Sequence, residues 1–245
     1  MIFKILMIGH LIGDFYLQSN KMVEQKKKSL KILLWHCIIY ILPILFMGLA
    51  TITKSEIISF LKFLISVILL HGFIDFGKSV IEKKNNFKHK YIFFLADQIL
   101  HVATLYILIG VFDLEGGKYI NFFKYSYEIS SYDIFIKAVI MALICAKPAS
   151  IFIAAVFEEI STAANESDSQ KKAKIGSLIG ILEREMILIL GLMGQFGAIG
   201  YVLAAKSLAR FKQLEERDFA EKYIVGTLLS AIIAILSIVI YKYAP

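Results

Sequence analysis

The sequence predicts an all-α fold, a polytopic transmembrane helical bundle of about eight spans. Three observations lead there. First, 58% of the 245 residues are hydrophobic and only three are proline, and the mean hydropathy is +0.70, well above a soluble domain, where about half the residues are apolar. Second, apolar stretches near the roughly 20 residues that a spanning helix needs recur along the chain. Third, short connections rich in lysine separate them, the pattern of loops facing the cytoplasm.

Taken in order, the spans are expected at 2–18, 30–52, 56–80, 91–112, 132–157, 174–193, 195–211 and 220–243. Lys4 is followed by a stretch carrying His10 and Asp14, which does not read as a removable leader, so residue 1 is expected within the mature fold. Connections on one side hold eighteen lysines and arginines, among them Lys21, Lys26, Lys31, Lys78 and Lys90, against five on the other. Both termini are therefore expected outside and the basic loops inside. This topology accounts for the net charge of +7 without nucleic-acid binding. Residues 113–133 form the longest outer connection, with room for an interfacial helix, and 161–174 reads as a solvated loop. Gly176, Gly180, Gly191, Gly194, Gly197 and Gly200 are expected to let the sixth and seventh helices pack closely. Cys37 and Cys145 fall in apolar segments and read as packing residues. The whole chain, 1–245, reads as one integral membrane domain, with His/Asp-bearing helices in 1–112 and Glu/Lys/Arg-bearing helices in 132–243.

Ionisable residues inside the spans carry the functional signal. GHLIGDF places His10 four residues before Asp14, LLHGFID places His71 four before Asp75, and LADQILH places Asp97 four before His101. LLWHCII adds His36. Side chains four apart leave a helix on the same face, so each pair can address one centre. At about 1.5 Å per residue, Asp14, His71 and Asp97 lie roughly 10 Å, and His36 about 8 Å, from the lysines at the ends of their helices. All of these groups share a level in the cytoplasmic leaflet. Such residues cost a few kcal/mol each in a bilayer and are turned inward, paired or functional. Imidazole and carboxylate together suit one or two divalent ions such as Zn, Mn, Fe or Mg. The metal candidates are His10, Asp14, His36, His71, Asp75, Asp97 and His101, with Asp14, Asp75 and Asp97 also the candidates for catalytic carboxylates. The alternative is that each couple is a hydrogen-bonded pair within its own helix. His89, in a basic loop, is expected to be solvated.

The C-terminal half adds cations. Lys147 lies beside Pro148, Arg184 lies within ILEREMI, and Lys206 and Arg210 close the seventh span. Glu158, Glu159, Glu183 and Glu221 are available to neutralise them. One reading makes Lys147, Arg184, Lys206 and Arg210 a substrate-binding pocket for an anion. The other makes them a packing pair and interface anchors.

GHLIGDFYLQ, KKKSLKILLWHCIIY, LLHGFIDFGK and DQILH resemble the bacterial membrane family catalogued as domain of unknown function 3307, and the stretch from IGILEREMILILGLMGQFGAIGYVLAAKSLARF to AEKYIVGTLLS resembles its C-terminal extension. The resemblance implies a bacterial inner-membrane protein and brings no activity. The His and Asp pattern is also loosely similar to that of predicted membrane-bound metal-dependent hydrolases. The leading expectation is a metal-dependent hydrolase in the membrane, acting on a phosphorylated lipid or another anionic amphiphile. A carrier or channel for a metal ion, proton or small anion is the second reading, opposed by outer half-spans such as TLYILIGVF that hold almost no ionisable groups. A structural or regulatory membrane subunit is the third.

Overall fold

The computed structural model describes residues 1–84, 89–115, 129–160 and 169–243. Every element among them is a helix: α1 (Ile2–Leu11), which runs on as a π-helical segment (Ile12–Tyr16), α2 (Asn20–Lys26), α3 (Leu30–Leu49), α4 (Ile57–Lys84), α5 (Lys90–Val111), α6 (Ile129–Ile160), α7 (Ser169–Leu192), α8 (Phe196–Ala209) and α9 (Arg217–Tyr243). Of the connections discussed above, 116–128 and 161–168 lie outside the described residues, and the expected interfacial helix falls there. Residues 169–174, expected in a loop, instead open α7.

Five helices among the described residues are long and apolar enough to cross a membrane: Leu30–Leu49, Lys54–Lys83, Lys90–Val111, Tyr132–Glu159 and Arg217–Tyr243. They correspond to five of the eight expected spans. The other three form helices of a different kind. The α1 helix has 10 residues before its π segment. With 14 residues, α8 reaches only about 21 Å, short of a hydrocarbon layer of about 30 Å. In α7 the charged residues Lys171, Lys172, Lys174, Glu183, Arg184 and Glu185 dilute the apolar run.

The chain forms two compact units, Met1–Ile140 and Met141–Pro245. In the first, α1 packs on α3, α3 on α4, α4 on α5 and α5 back on α1, so four helices close around a common interior. Local chemistry sets the ends of these elements. Ser19 caps α2 by accepting from Met22 N at 3.2 Å. Thr53 and Glu56 form a reciprocal capping box ahead of α4, satisfying donors that a helix start leaves open. The closest approach is between α1 and α3. A Cβ on Gly13 would stand 2.7 Å from the Tyr40 carbonyl oxygen, and one on Gly9 would stand 2.9 Å from the Ile44 Cα. Glycines four apart thus let two backbones meet, as small residues do between helices in lipid. The expectation of close packing at the later glycines holds at only one of six positions. Gly191 faces Ile238 of α9, Gly180 meets only Arg184 of its own helix, and Gly176, Gly194, Gly197 and Gly200 have nothing within 4 Å among the described residues. Gly194 has a φ of +73° and makes the turn between α7 and α8, a conformation that favours glycine.

The first unit is layered along its axis. Ile2 and Leu6 of α1, Tyr40 and Ile44 of α3, Phe60, Phe63, Leu64 and Val67 of α4, and Leu105 and Leu108 of α5 form a closed apolar core. One turn further on each of those helices come His10, His36, His71 and His101, all at most 2% exposed. The outside is the reverse of a soluble protein: Phe46 and Phe73 are each 73% exposed. Apolar faces outward and imidazoles inward are what lipid as solvent selects. In the second unit α7 packs on α8 and α9, and Cys145 of α6 donates to Ser237 Oγ of α9 at 3.3 Å. Both cysteines are free and buried, in agreement with their reading as packing residues.

Candidate metal centre

The helical register brings each His/Asp couple inward, and the antiparallel course of neighbouring helices stacks them. In α1 and α4 the histidine precedes its aspartate, in α5 it follows, and so the imidazoles form one layer and the carboxylates the next. Asp14 lies in the π-helical segment, where Leu17 N donates to Ile12 O at 3.0 Å across five residues. Such a widened turn is frequent at functional sites.

Six of the seven expected ligands fall into two groups. Asp14, His36 and His71 each offer an atom within 4.8 Å of the others, as do Asp75, Asp97 and His101, and all six are buried. Individual edges are short. His36 Nε2 lies 3.0 Å from His71 Nε2, 3.3 Å from Asp75 Oδ2 and 3.5 Å from Asp14 Oδ1. His101 Nε2 lies 3.6 Å from Asp97 Oδ1 and 3.7 Å from Asp75 Oδ1. Two ligands each about 2.0–2.1 Å from a tetrahedral ion stand roughly 3.3 Å apart, so these edges match a ligand cage. Asp75 touches both groups, Oδ2 with the first and Oδ1 with the second.

Hydrogen bonding alone leaves part of this cluster unsatisfied. Asp97 Oδ1, His101 Nε2 and His10 Nε2 are buried with no hydrogen-bond partner, a costly state for polar atoms unless something else engages them. His10 stands beside the two groups rather than in them. Its Nδ1 meets the Tyr40 hydroxyl at 3.1 Å, and its ring centroid is 6.0 Å from that of His101. His36, which lacks a carboxylate four residues away, sits at the middle of the network. The expected alternative, separate couples within single helices, does not describe this geometry, because the closest edges join different helices.

Other residues complete the site. Tyr40 stacks on His71, with ring centroids 3.6 Å apart and planes 7° from parallel. The Gln98 amide nitrogen donates to both Asp14 Oδ2 and Asp97 Oδ2 at 3.1 Å, tying the carboxylates of two helices. Lys26 Nζ donates to Asp75 Oδ2 at 2.6 Å, and Lys78 Nζ donates to Asp97 Oδ2 at 2.7 Å. The sequence reading gave both lysines only a topological role. A signal existed for two of these residues: Tyr40 follows His36 by four, and Lys78 follows His71 by seven, each on its partner's helical face. For Lys26 and Gln98 no local pattern points inward.

The four expected anion contacts all belong to the second unit. Arg184 donates to the carbonyls of Cys145 and Ala146 and to the hydroxyls of Ser150 and Ser230. The two carbonyls lie within three residues of Pro148 on α6. Lys206 pairs with Glu183 at 2.5 Å and donates to Thr227. Arg210 donates to Gln213 at 3.0 Å and lies over the Phe219 ring. Lys147 is partly exposed on α6, and His89 is exposed ahead of α5.

Fold and site together define an all-helical protein of membrane type that encloses a buried His/Asp cluster in its N-terminal unit. The chain belongs to the family described as protein of unknown function, DUF3307, whose sequence profile matches residues 2–129. That stretch carries every residue of the cluster. No curated protein and no solved structure matches the chain.

Proposed function

We propose that this protein is a bacterial inner-membrane, metal-dependent hydrolase with its centre in the cytoplasmic leaflet, holding up to two divalent ions between α1, α3, α4 and α5. The observation that carries this reading is the pair of buried ligand groups sharing Asp75. Asp14, His36 and His71 would hold one ion, Asp97 and His101 a second, and Asp75 would bridge them. A divalent ion in such a place activates water near neutral pH and polarises a phosphoryl or carbonyl oxygen. Gln98 fixes the Asp14 and Asp97 carboxylates by hydrogen bonds, as neighbours of metal ligands commonly do, and Tyr40 steadies His71 by stacking on its ring. A conduit is less well supported, because the apolar core from Ile2 to Leu108 lies directly beyond the imidazole layer.

Eight crossings with both termini outside complete the proposal, with α1 and α8 as short spans and α7 as a charge-bearing one. Cysteine placed at position 85 should then react with impermeant reagents only from the cytoplasmic face, and labelling from the periplasm would move the centre to the other leaflet.

Elemental analysis of detergent-purified protein tests the reading. Near-stoichiometric Zn, Mn or Fe in the parent, absent from Asp75→Asn, is the expected result, followed by turnover in a screen of phosphorylated lipids. A parent that holds no metal after incubation with each ion would leave a hydrogen-bonded packing cluster in its place.

A further inference from the structure

We infer that Lys26 and Lys78 form the anion grip of this centre and that its ligand presents an anionic, phosphate-like group. The inference rests on the metal-centre reading and names the substrate class of that site. It starts from charge. Asp14, Asp75 and Asp97 are buried, and two partly buried ammonium groups pair with Asp75 and Asp97, so the five residues carry one net negative charge. A single divalent ion turns this to one positive charge, and a second ion adds two more. In a membrane interior such an excess is costly and calls for an anionic ligand.

Geometry says where that ligand would sit. Both lysines approach from the carboxylate side of the cluster, the side away from the apolar core. Lys26 has a side chain only 9% exposed, and Lys78 is 24% exposed. Asp97 turns Oδ1 toward His101 and Oδ2 toward Lys78, so it can hold an ion through one oxygen and keep the ammonium group beside that ion through the other. Asp75 Oδ2 meets both Lys26 and His36. An ion taking that oxygen competes with Lys26 and frees its N–H groups for a ligand. Each ammonium has three donors, enough for a carboxylate and a phosphate oxygen at once. Metal and lysines around one tetrahedral anion also match the electrostatic needs of phosphoryl hydrolysis. The source of the phosphate is either a free ion or a lipid head group.

The test uses the full chain in detergent, loaded with Zn or Mn, and measures binding of inorganic phosphate and of a short-chain phosphatidic acid by calorimetry. Metal content is read on the same samples. Lys26→Gln and Lys78→Gln should each weaken phosphate-group binding by about tenfold or more while keeping their metal, through loss of a charge-assisted hydrogen bond. Lys26→Arg and Lys78→Arg should restore a substantial part, and Lys83→Gln, exposed near the end of α4, should bind as the parent does. Tighter binding of the phosphatidic acid assigns the lipid, and binding of inorganic phosphate alone assigns the free ion. Parent-like binding in both Gln variants, metal loss in either, or no binding of either probe to a metal-loaded parent would overturn the grip and leave the metal centre standing. A parent without metal would remove the centre itself.

Discussion

Both units bury charge in apolar helices, yet they dispose of it differently. In the second, Arg184 spreads its donors over two carbonyls and two hydroxyls from two neighbouring helices, and Lys206 answers Glu183 one to one. Single oxygens of Glu183 and Glu185 stay unpaired there, on one helix. In the first unit, three carboxylates and three imidazoles from four segments converge within reach of one another, and several of their atoms lack partners. Polar groups that only specify packing need one partner each. A set of convergent acceptors could in addition hold a metal ion.

Substitution should separate the two cases, and the largest effect is expected at the shared carboxylate. Asp75→Asn keeps the shape but removes the charge that both ligand groups use, so metal content should fall at least tenfold with the helical content preserved. A variant that keeps its metal would dissolve the contrast between the units.

Gly13→Ala comes next. Its Cβ would press on the Tyr40 carbonyl at 2.7 Å, and overpacking of this kind costs about 1–3 kcal/mol. Because Asp14 adjoins Gly13 and Tyr40 touches His10 and His71, thermal stability and metal affinity should fall together. Unchanged stability would mean that α1 can move off α3 at little cost.

Arg184→Gln should show the opposite pattern. Interhelical hydrogen bonds in membranes are worth about 0.6 kcal/mol each on average, so losing several should lower stability by about 1–2 kcal/mol. Metal in the first unit should remain at the parental level. Lys206→Gln should act in the same direction and less, by about 1 kcal/mol, since one pairing is lost. Metal loss in either variant would show that the second unit supports the centre. The pH dependence sharpens the same contrast: metal retention should decline on acidification, as protons compete with the ion for its ligands, whereas the carbonyls and hydroxyls around Arg184 do not titrate.

Much of the first unit was legible because its signals are short-range. Spacing of four residues places His10 with Asp14, His71 with Asp75 and Asp97 with His101 on common faces, and helical rise converts distance from a basic loop into depth. Lys26 was hidden because it belongs to a lysine run that reads as loop charge, and its role depends on α2 packing back across α3. Arg184 could be read as a ligand contact or as a packing residue, and nothing in ILEREMI says that the carbonyls before Pro148 lie within its reach. The expected spans at 2–18 and 195–211 were drawn from apolar content alone, which registers greasiness but not where a helix loosens into a π turn or stops at 14 residues.

By itself the sequence determined the helical class, the apolar outer faces, the couples four apart and their common depth, because each depends on neighbours within a few turns of one chain. Tertiary structure alone decided which helices face one another, and with that the two ligand groups, the sharing of Asp75, the central place of His36 and the reach of Lys26 and Lys78. Those facts rest on contacts such as Gly9 and Gly13 against Pro43, Ile44 and Tyr40. Helix pairing is fixed by how closely two backbones can approach, and that is a property of two surfaces rather than of either segment.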